Sequence, residues 1–184
     1  TRKESSAASD VYKRQILADV AFKQDKATAA IRSAPPGSHG VKLVTPFDPA
    51  RDLSALHREI AAQCEYARSI DSRERTAVLL LGRRNDTLKD IQAGLDRKLP
   101  VKAYTIHRAK GLQAEVAIIV DDCLPTTAHP LRNALYAHCG FFANSYDQAM
   151  ADESLRLGYV AVTRGVSRVL WFVRKPQGAT RVLS

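Results

Sequence analysis

Apolar residues recur along this chain in short blocks, separated by polar turns that often carry glycine or proline. From Ile16 to about Ile31 the spacing of Leu17, Val20, Ala21 and Phe22 suits a helix, which Ser33-Ala-Pro-Pro-Gly-Ser-His-Gly40 ends. Val41–Thr45 reads as a strand, and Pro49 to Ile70 as an amphipathic helix with Leu53, Leu56, Ile60 and Cys64 on one face. The run Ala77-Val-Leu-Leu-Leu81 is continuous and apolar, as a strand buried on both faces should be. Gly82–Asn85 follows as a turn and Asp86–Leu95 as a short helix. Val101–Ile106 and Val116–Val120 are two more strands, joined by a polar turn. Asp121–Tyr146, with Pro125 and Pro130, reads as irregular. Gln148–Arg164 is a helix, Val169–Val173 the last strand, and the tail after Pro176 a terminal turn of helix. Strands alternating with helices predict an α/β fold: a largely parallel sheet with helices on both faces. No internal repeat is visible.

Composition narrows the class. The 184 residues, 45% of them hydrophobic, suffice for one domain with a proper core. Twenty-eight Lys and Arg against 19 Asp and Glu give a net charge of +9, which favours polyanionic partners such as nucleic acid. A basic soluble enzyme would show the same balance. Three cysteines, Cys64, Cys123 and Cys139, are odd in number and irregularly spaced, which argues against a disulfide framework and for a reducing compartment. No apolar run approaches the roughly 20 residues that cross a bilayer, and no signal-peptide pattern is present. A cytoplasmic location and no membrane partner are the expectation. Thr1–Gln15 does not match the rest: Ser6–Gln15 resembles a translated sequencing-adapter stretch, and the first fifteen residues are expected to be non-native or disordered. On that reading residues 16–184 are the domain and belong to a longer protein.

Candidate chemistry gathers at strand ends, where open α/β sheets bind ligands. Arg83 follows the buried strand Ala77–Leu81 and has the planar fork that grips phosphate; a surface arginine beside the sheet is the plainer reading. In Thr105-Ile-His-Arg-Ala-Lys-Gly-Leu-Gln113, Thr105 and His107 can contact phosphate or sugar, Gly111 permits a tight turn beside Lys110, and Gln113 can both donate to and accept from a ribose hydroxyl. A lone histidine such as His107 is more commonly a satisfied, partly buried one. Glu153, Leu157, Val160 and Arg164 fall on one helical face, with Arg164 emerging at the end of it, where it could reach outward or simply suit the helix dipole. Cys123, His129, His138 and Cys139 match no common zinc spacing, so no metal site is expected. Tyr136, Phe141, Phe142 and Tyr146 could stack on bases, but a loop packed onto the core is the expectation.

Three stretches taken together resemble the C-terminal motor domain of superfamily 1 DNA helicases of the UvrD/Rep type. Ala77–Asn85 is similar to the family's motif IV, Thr105–Gln113 with the following Ala114–Ile119 to motif V, and Glu153–Gly165 to motif VI. Gln113, where most of the family has glutamate, is closest to the helicase IV branch. The resemblance runs from about Ile16 to the end. It implies a RecA-like fold and half of an ATP-driven, 3′-to-5′ DNA helicase. Arg83 and Arg164 would contact the γ-phosphate from across an interdomain cleft, Gln113 would hold the ribose, Thr105 and His107 would touch the single strand, and Lys110 and Gly111 would shape the link between the two sites. Two positions depart from the pattern: Gly82 stands where an aromatic commonly stacks on adenine, and Ser154-Leu155 where an arginine and an acidic residue are usual.

The chain contains no GxxxxGK[ST] phosphate loop. ATP and Mg²⁺ would therefore be held mainly by an N-terminal motor domain of the same protein, and this chain alone would not hydrolyse ATP. Single-stranded DNA and that N-terminal domain are the partners implied. The rival reading is a RecA-like module that binds nucleic acid or a partner without catalysis; a nuclease fusion in a repair or defence protein is a third.

Overall fold

The computed structural model describes residues 40–70, 76–121 and 127–183. The helix expected over Ile16–Ile31, the leader Thr1–Gln15 and Cys123 lie outside them.

Five strands form one sheet: β1 (Gly40–Val44), β2 (Val78–Gly82), β3 (Val101–Thr105), β4 (Ala114–Val120) and β5 (Gly165–Phe172). Their order is β1-β5-β4-β2-β3 and every pairing is parallel. Four helices accompany them: α1 (Pro49–Ile70), α2 (Asn85–Ala93), α3 (Pro130–Cys139) and α4 (Tyr146–Val162), with a 3₁₀ turn at Gly178–Leu183. This is the α/β fold that the alternation of elements predicted, and it is consistent with the RecA-like architecture that the resemblance implied.

The central strands are buried from end to end, β2 over all five residues and β4 over all seven. Continuous apolar runs of this kind fit a sheet covered on both faces. One cover is α1, which buries Leu56, Ile60, Cys64 and Ala67 at helical spacing, together with Leu88 and Ile91 of α2. Asp48 starts α1 by a reciprocal exchange: its carboxylate accepts from the Ala50 amide (3.1 Å), and its own amide donates to Asp52 (2.7 Å). The other cover is α4, whose Leu155, Leu157, Ala161 and Val162 pack with Trp171 and Ala179. Gly158 is needed there, because a Cβ would lie 2.6 Å from that of Ala179.

The differences from the sequence reading lie at element ends and in one missed helix. β4 begins two residues earlier than Val116, and β5 begins at Gly165 rather than Val169. Arg164 is past the end of α4, since Thr163 is already the C-cap. Within the stretch read as irregular, α3 occupies Pro130–Cys139. Pro130 is itself at the helix start, where a missing amide costs nothing.

Candidate functional site

The β3–β4 connection, Ile106–Gln113, is the centre of the site. β2 lies between β3 and β4, so this connection leaves the C-terminal edge of the sheet, crosses over β2 and arrives at the N-terminal edge. It lies on the α4 face. Ile106 and Ala109 are buried there among Leu79, Leu81, Ala117 and Ile119. Turn hydrogen bonds hold its course: Ala109 N donates to Thr105 O (3.0 Å) and Leu112 N to Ala109 O (3.0 Å). Gly111 has φ +88°, a backbone that side-chain-bearing residues seldom adopt; space is not the reason for glycine, since a Cβ would meet nothing within 4 Å.

Arg164 clamps the far end of this crossover. Its Nη1 donates to Leu112 O (2.9 Å) and Ala109 O (3.3 Å), Nε to Val160 O (2.9 Å), and Nη2 to Thr163 Oγ1 (2.7 Å). Its backbone carbonyl accepts from Ala114 N (3.0 Å). Burial pushes the guanidinium pKa down, partly offset by Tyr159. The side chain expected to reach outward is therefore turned inward, and its carbonyl partners are ones that no sequence spacing could have identified. Of its five N–H groups, one on Nη2 is left over by these bonds. Gln113 is exposed beside it, at the start of β4.

At the opposite edge the C-terminal ends of the parallel strands line up. Gly82 pairs with both Thr105 and Val120, which sets Arg83, Thr105 and Asp121 side by side. His107 is exposed and reaches Glu153 of α4 (Nε2–Oε1 3.5 Å). Arg84 and Arg174 add cations there. Both act on Asp121, whose carboxyl burial holds above its ordinary range against their attraction. Arg174 also meets Asp48 at 3.2 Å. Arg84 and Arg174 were missed as candidates, although both follow strand ends by the rule that singled out Arg83.

The structure thus divides the predicted site. Thr105, His107 and Arg83 share the C-terminal edge, Gln113 and Arg164 the N-terminal edge, and Lys110 and Gly111 the path between. Arg83 and Arg164 are not brought together. Gly82 stands opposite Val120 and Gly165 opposite Ala114, so the arginines flank the two ends of β4, roughly 20 Å apart along the strand. The strand order thus sets them at opposite edges, whereas the resemblance implied that both meet one γ-phosphate. Space at Gly82 is tight: a Cβ there would lie 3.1 Å from the Leu88 side chain, which would have to shift. Ser154 and Leu155 are buried, facing the core.

The four aromatics do not pack onto the core. Phe141 is 90% exposed and Phe142 52%. Tyr136 and Phe142 stack at 4.2 Å, and Tyr146 meets Tyr136 edge-on at 5.3 Å. Among the described residues no three His, Cys, Asp or Glu gather where they could hold a metal ion, and no helix is long and apolar enough to cross a membrane.

No family model and no curated protein matches the chain. Among solved structures the chain is similar to the C-terminal domain of a possible DNA helicase from Lactobacillus plantarum WCFS1, at 12% identity and a TM-score of 0.54, over 100% of this chain and 95% of that one. At that identity the likeness is one of fold.

Proposed function

We propose that this chain is the second motor domain of an ATP-dependent DNA helicase or translocase of 3′-to-5′ polarity. The single observation that carries the reading is the crossover Ile106–Gln113. One continuous segment begins at a cationic strand-end surface and ends at a clamped arginine on the opposite edge. The resemblance of Thr105–Gln113 and Glu153–Gly165 to helicase motifs V and VI supports it, as does the shared fold.

At the C-terminal edge the Thr105 hydroxyl and the His107 imidazole would donate to phosphate oxygens of a single strand, with Glu153 fixing the ring. Arg83, Arg84 and Arg174 would supply the surrounding positive field, so Arg83 moves from the nucleotide to the DNA side. At the N-terminal edge Gln113 and the spare Nη2 proton of Arg164 fit a ribose and a phosphate oxygen. ATP would supply the phosphoryl group whose loss drives the cycle. Mg²⁺ and the phosphate loop would belong to a partner motor domain, since the chain contains no GxxxxGK[ST] segment. Drawing Arg164 toward phosphate would exchange the Ala109 and Leu112 carbonyls for phosphate oxygens. That would release the crossover whose other end carries Thr105 and His107.

DNA binding tests the reading. The 184-residue chain should bind oligo-dT weakly and with strong salt dependence, because it would grip phosphate. Thr105→Ala with His107→Ala should weaken binding uniformly across sequences, because the contacts removed are to phosphate and not to base edges. Anisotropy titrations from low to moderate salt would measure both. Tight, salt-insensitive binding that ignores these changes would favour the non-catalytic binding module.

A further inference from the structure

The aromatic cluster outside the core forms a second candidate site. Tyr136, Phe141, Phe142, Asn144, Ala149 and Arg156 are among the residues that line an open cavity of about 310 Å³ between α3 and the start of α4. Its rings are arranged in advance. Tyr136 and Phe142 are near-parallel at 4.2 Å, which leaves a second π face on the outer ring. Tyr146 supports Tyr136 edge-on, and Arg132 holds Tyr146 by its hydroxyl and from over its face (5.0 Å).

α3 buries no residue at all, so hydrophobic burial does not hold it in place. A polar clamp does so instead. Asn133 Nδ2 donates to Asp147 Oδ2 (2.8 Å), Asp147 N donates to Asn133 Oδ1 (3.0 Å), and His129 N donates to both Asp147 oxygens (3.0 and 3.2 Å). A helix fixed this way, with rings turned to water, presents a surface for a ligand.

We propose that this cavity takes an unstacked base of single-stranded nucleic acid, sandwiched against Phe142 and Phe141. Three observations favour a base over an apolar protein segment. The lining mixes flat rings with Asn144 and Arg156, which offer the hydrogen bonds a base edge needs. Arg156 lines the cavity together with Asp152, and Arg132 lies over Tyr146 next to it, in a chain whose net charge of +9 favours a phosphate backbone. Position agrees as well. His107 contacts Glu153 one helical turn from Ala149 and three residues from Arg156, so a strand gripped at Thr105 and His107 has a short path along α4 into the cavity. Stacking here would add grip without sequence reading, since every base has a π face. The proposal rests on the DNA-binding reading above.

The test compares oligo-dT with an abasic oligomer of equal length and charge, on the 184-residue chain and on Phe142→Ala and Phe141→Ala. Both rings are at the surface, so the variants should fold, which circular dichroism would verify. The expected result is about tenfold weaker binding of oligo-dT by Phe142→Ala, with no change for the abasic oligomer. A 2-aminopurine base in the oligomer should be quenched on binding, and the quenching should be lost in the variant. Equal binding of oligo-dT and abasic oligomer, with both ring variants unaffected, overturns the base site. If Thr105→Ala with His107→Ala still weakens binding in that case, the DNA reading survives alone; no binding of either oligomer removes both. A ring variant that instead turns a self-associated chain into a monomer, seen by sedimentation, assigns the patch to protein contact and overturns the proposal.

Discussion

The crossover Ile106–Gln113 and the segment carrying α3 are both connections on the α4 side of the sheet, and they are held by opposite means. The crossover pins Ile106 (1% exposed) and Ala109 into the core and has a buried-side arginine bonded to its carbonyls. The α3 segment contributes no helical residue to the core and depends on one carboxylate, Asp147, bridging Asn133 and His129. A packed connection transmits force, because displacing one end strains the whole; a clamped one can give way without disturbing the sheet. Linking two binding edges calls for the first kind, and accommodating a ligand of variable shape for the second.

The largest expected effect tests the first half of that contrast. In a protein that also carries the nucleotide-binding motor domain, Arg164→Ala should leave ATP binding nearly intact and cut turnover by about 10³. Arg164→Lys should not rescue it, since a point charge lacks the planar fork that holds the Ala109 and Leu112 carbonyls and would exchange them for phosphate oxygens. Amide exchange across residues 107–113 should also rise in the isolated chain. Normal turnover per folded molecule would leave Arg164 as a purely structural clamp.

A pair of truncations sets the two connections against each other. Ile106→Ala should cost about 2–5 kcal/mol, the range for emptying a close-packed core position. Leu131→Ala, at a side chain 77% exposed on α3, should stay within about 0.5 kcal/mol. Urea unfolding of both variants gives the comparison directly. A large loss from Leu131→Ala would mean that α3 is covered by something in solution.

The sequence disclosed the two connections unequally, for physical reasons. β2 and β4 announce themselves because strands buried on both faces must be apolar throughout, and α1 because its buried positions recur every three or four residues. Thr105–Gln113 was recognisable as a polar turn from Gly111 and the residues around it, though not as a crossover over β2. α3 was not, since a helix with no buried face carries no period, and Pro125 and Pro130, before it and at its start, read as breakers. The separation of Arg83 from Arg164 was beyond reach for another reason. Both follow motifs in the right order along the chain, but placing β2 between β3 and β4 is a matter of topology, which decides which edge each arginine serves. The inward turn of Arg164 depends on backbone carbonyls, and these have no signature in residue type.

The smallest effect is local and concerns the clamp. Hydrogen bonds from Asn133 and the His129 amide hold the Asp147 carboxyl below its ordinary value of 3.8. For a carboxylate whose pKa is lower folded than unfolded, the stabilisation is complete above the unfolded value and fades as pH falls through the folded one. The α3 clamp should therefore be whole at neutral pH and begin to open only below about pH 4. Ile106 and Ala109 carry no titrating group, so the crossover should not follow in step. Acid titration by NMR would show residues 130–139 losing chemical-shift dispersion while the amides of β2 and β4 keep theirs. Asn133→Ala should shift that local opening toward neutral pH, because it removes the first of the bonds that depress the Asp147 pKa. If residues 130–139 and the sheet instead lose order at one common pH, α3 is part of the cooperative core, and the distinction between a packed and a clamped connection fails.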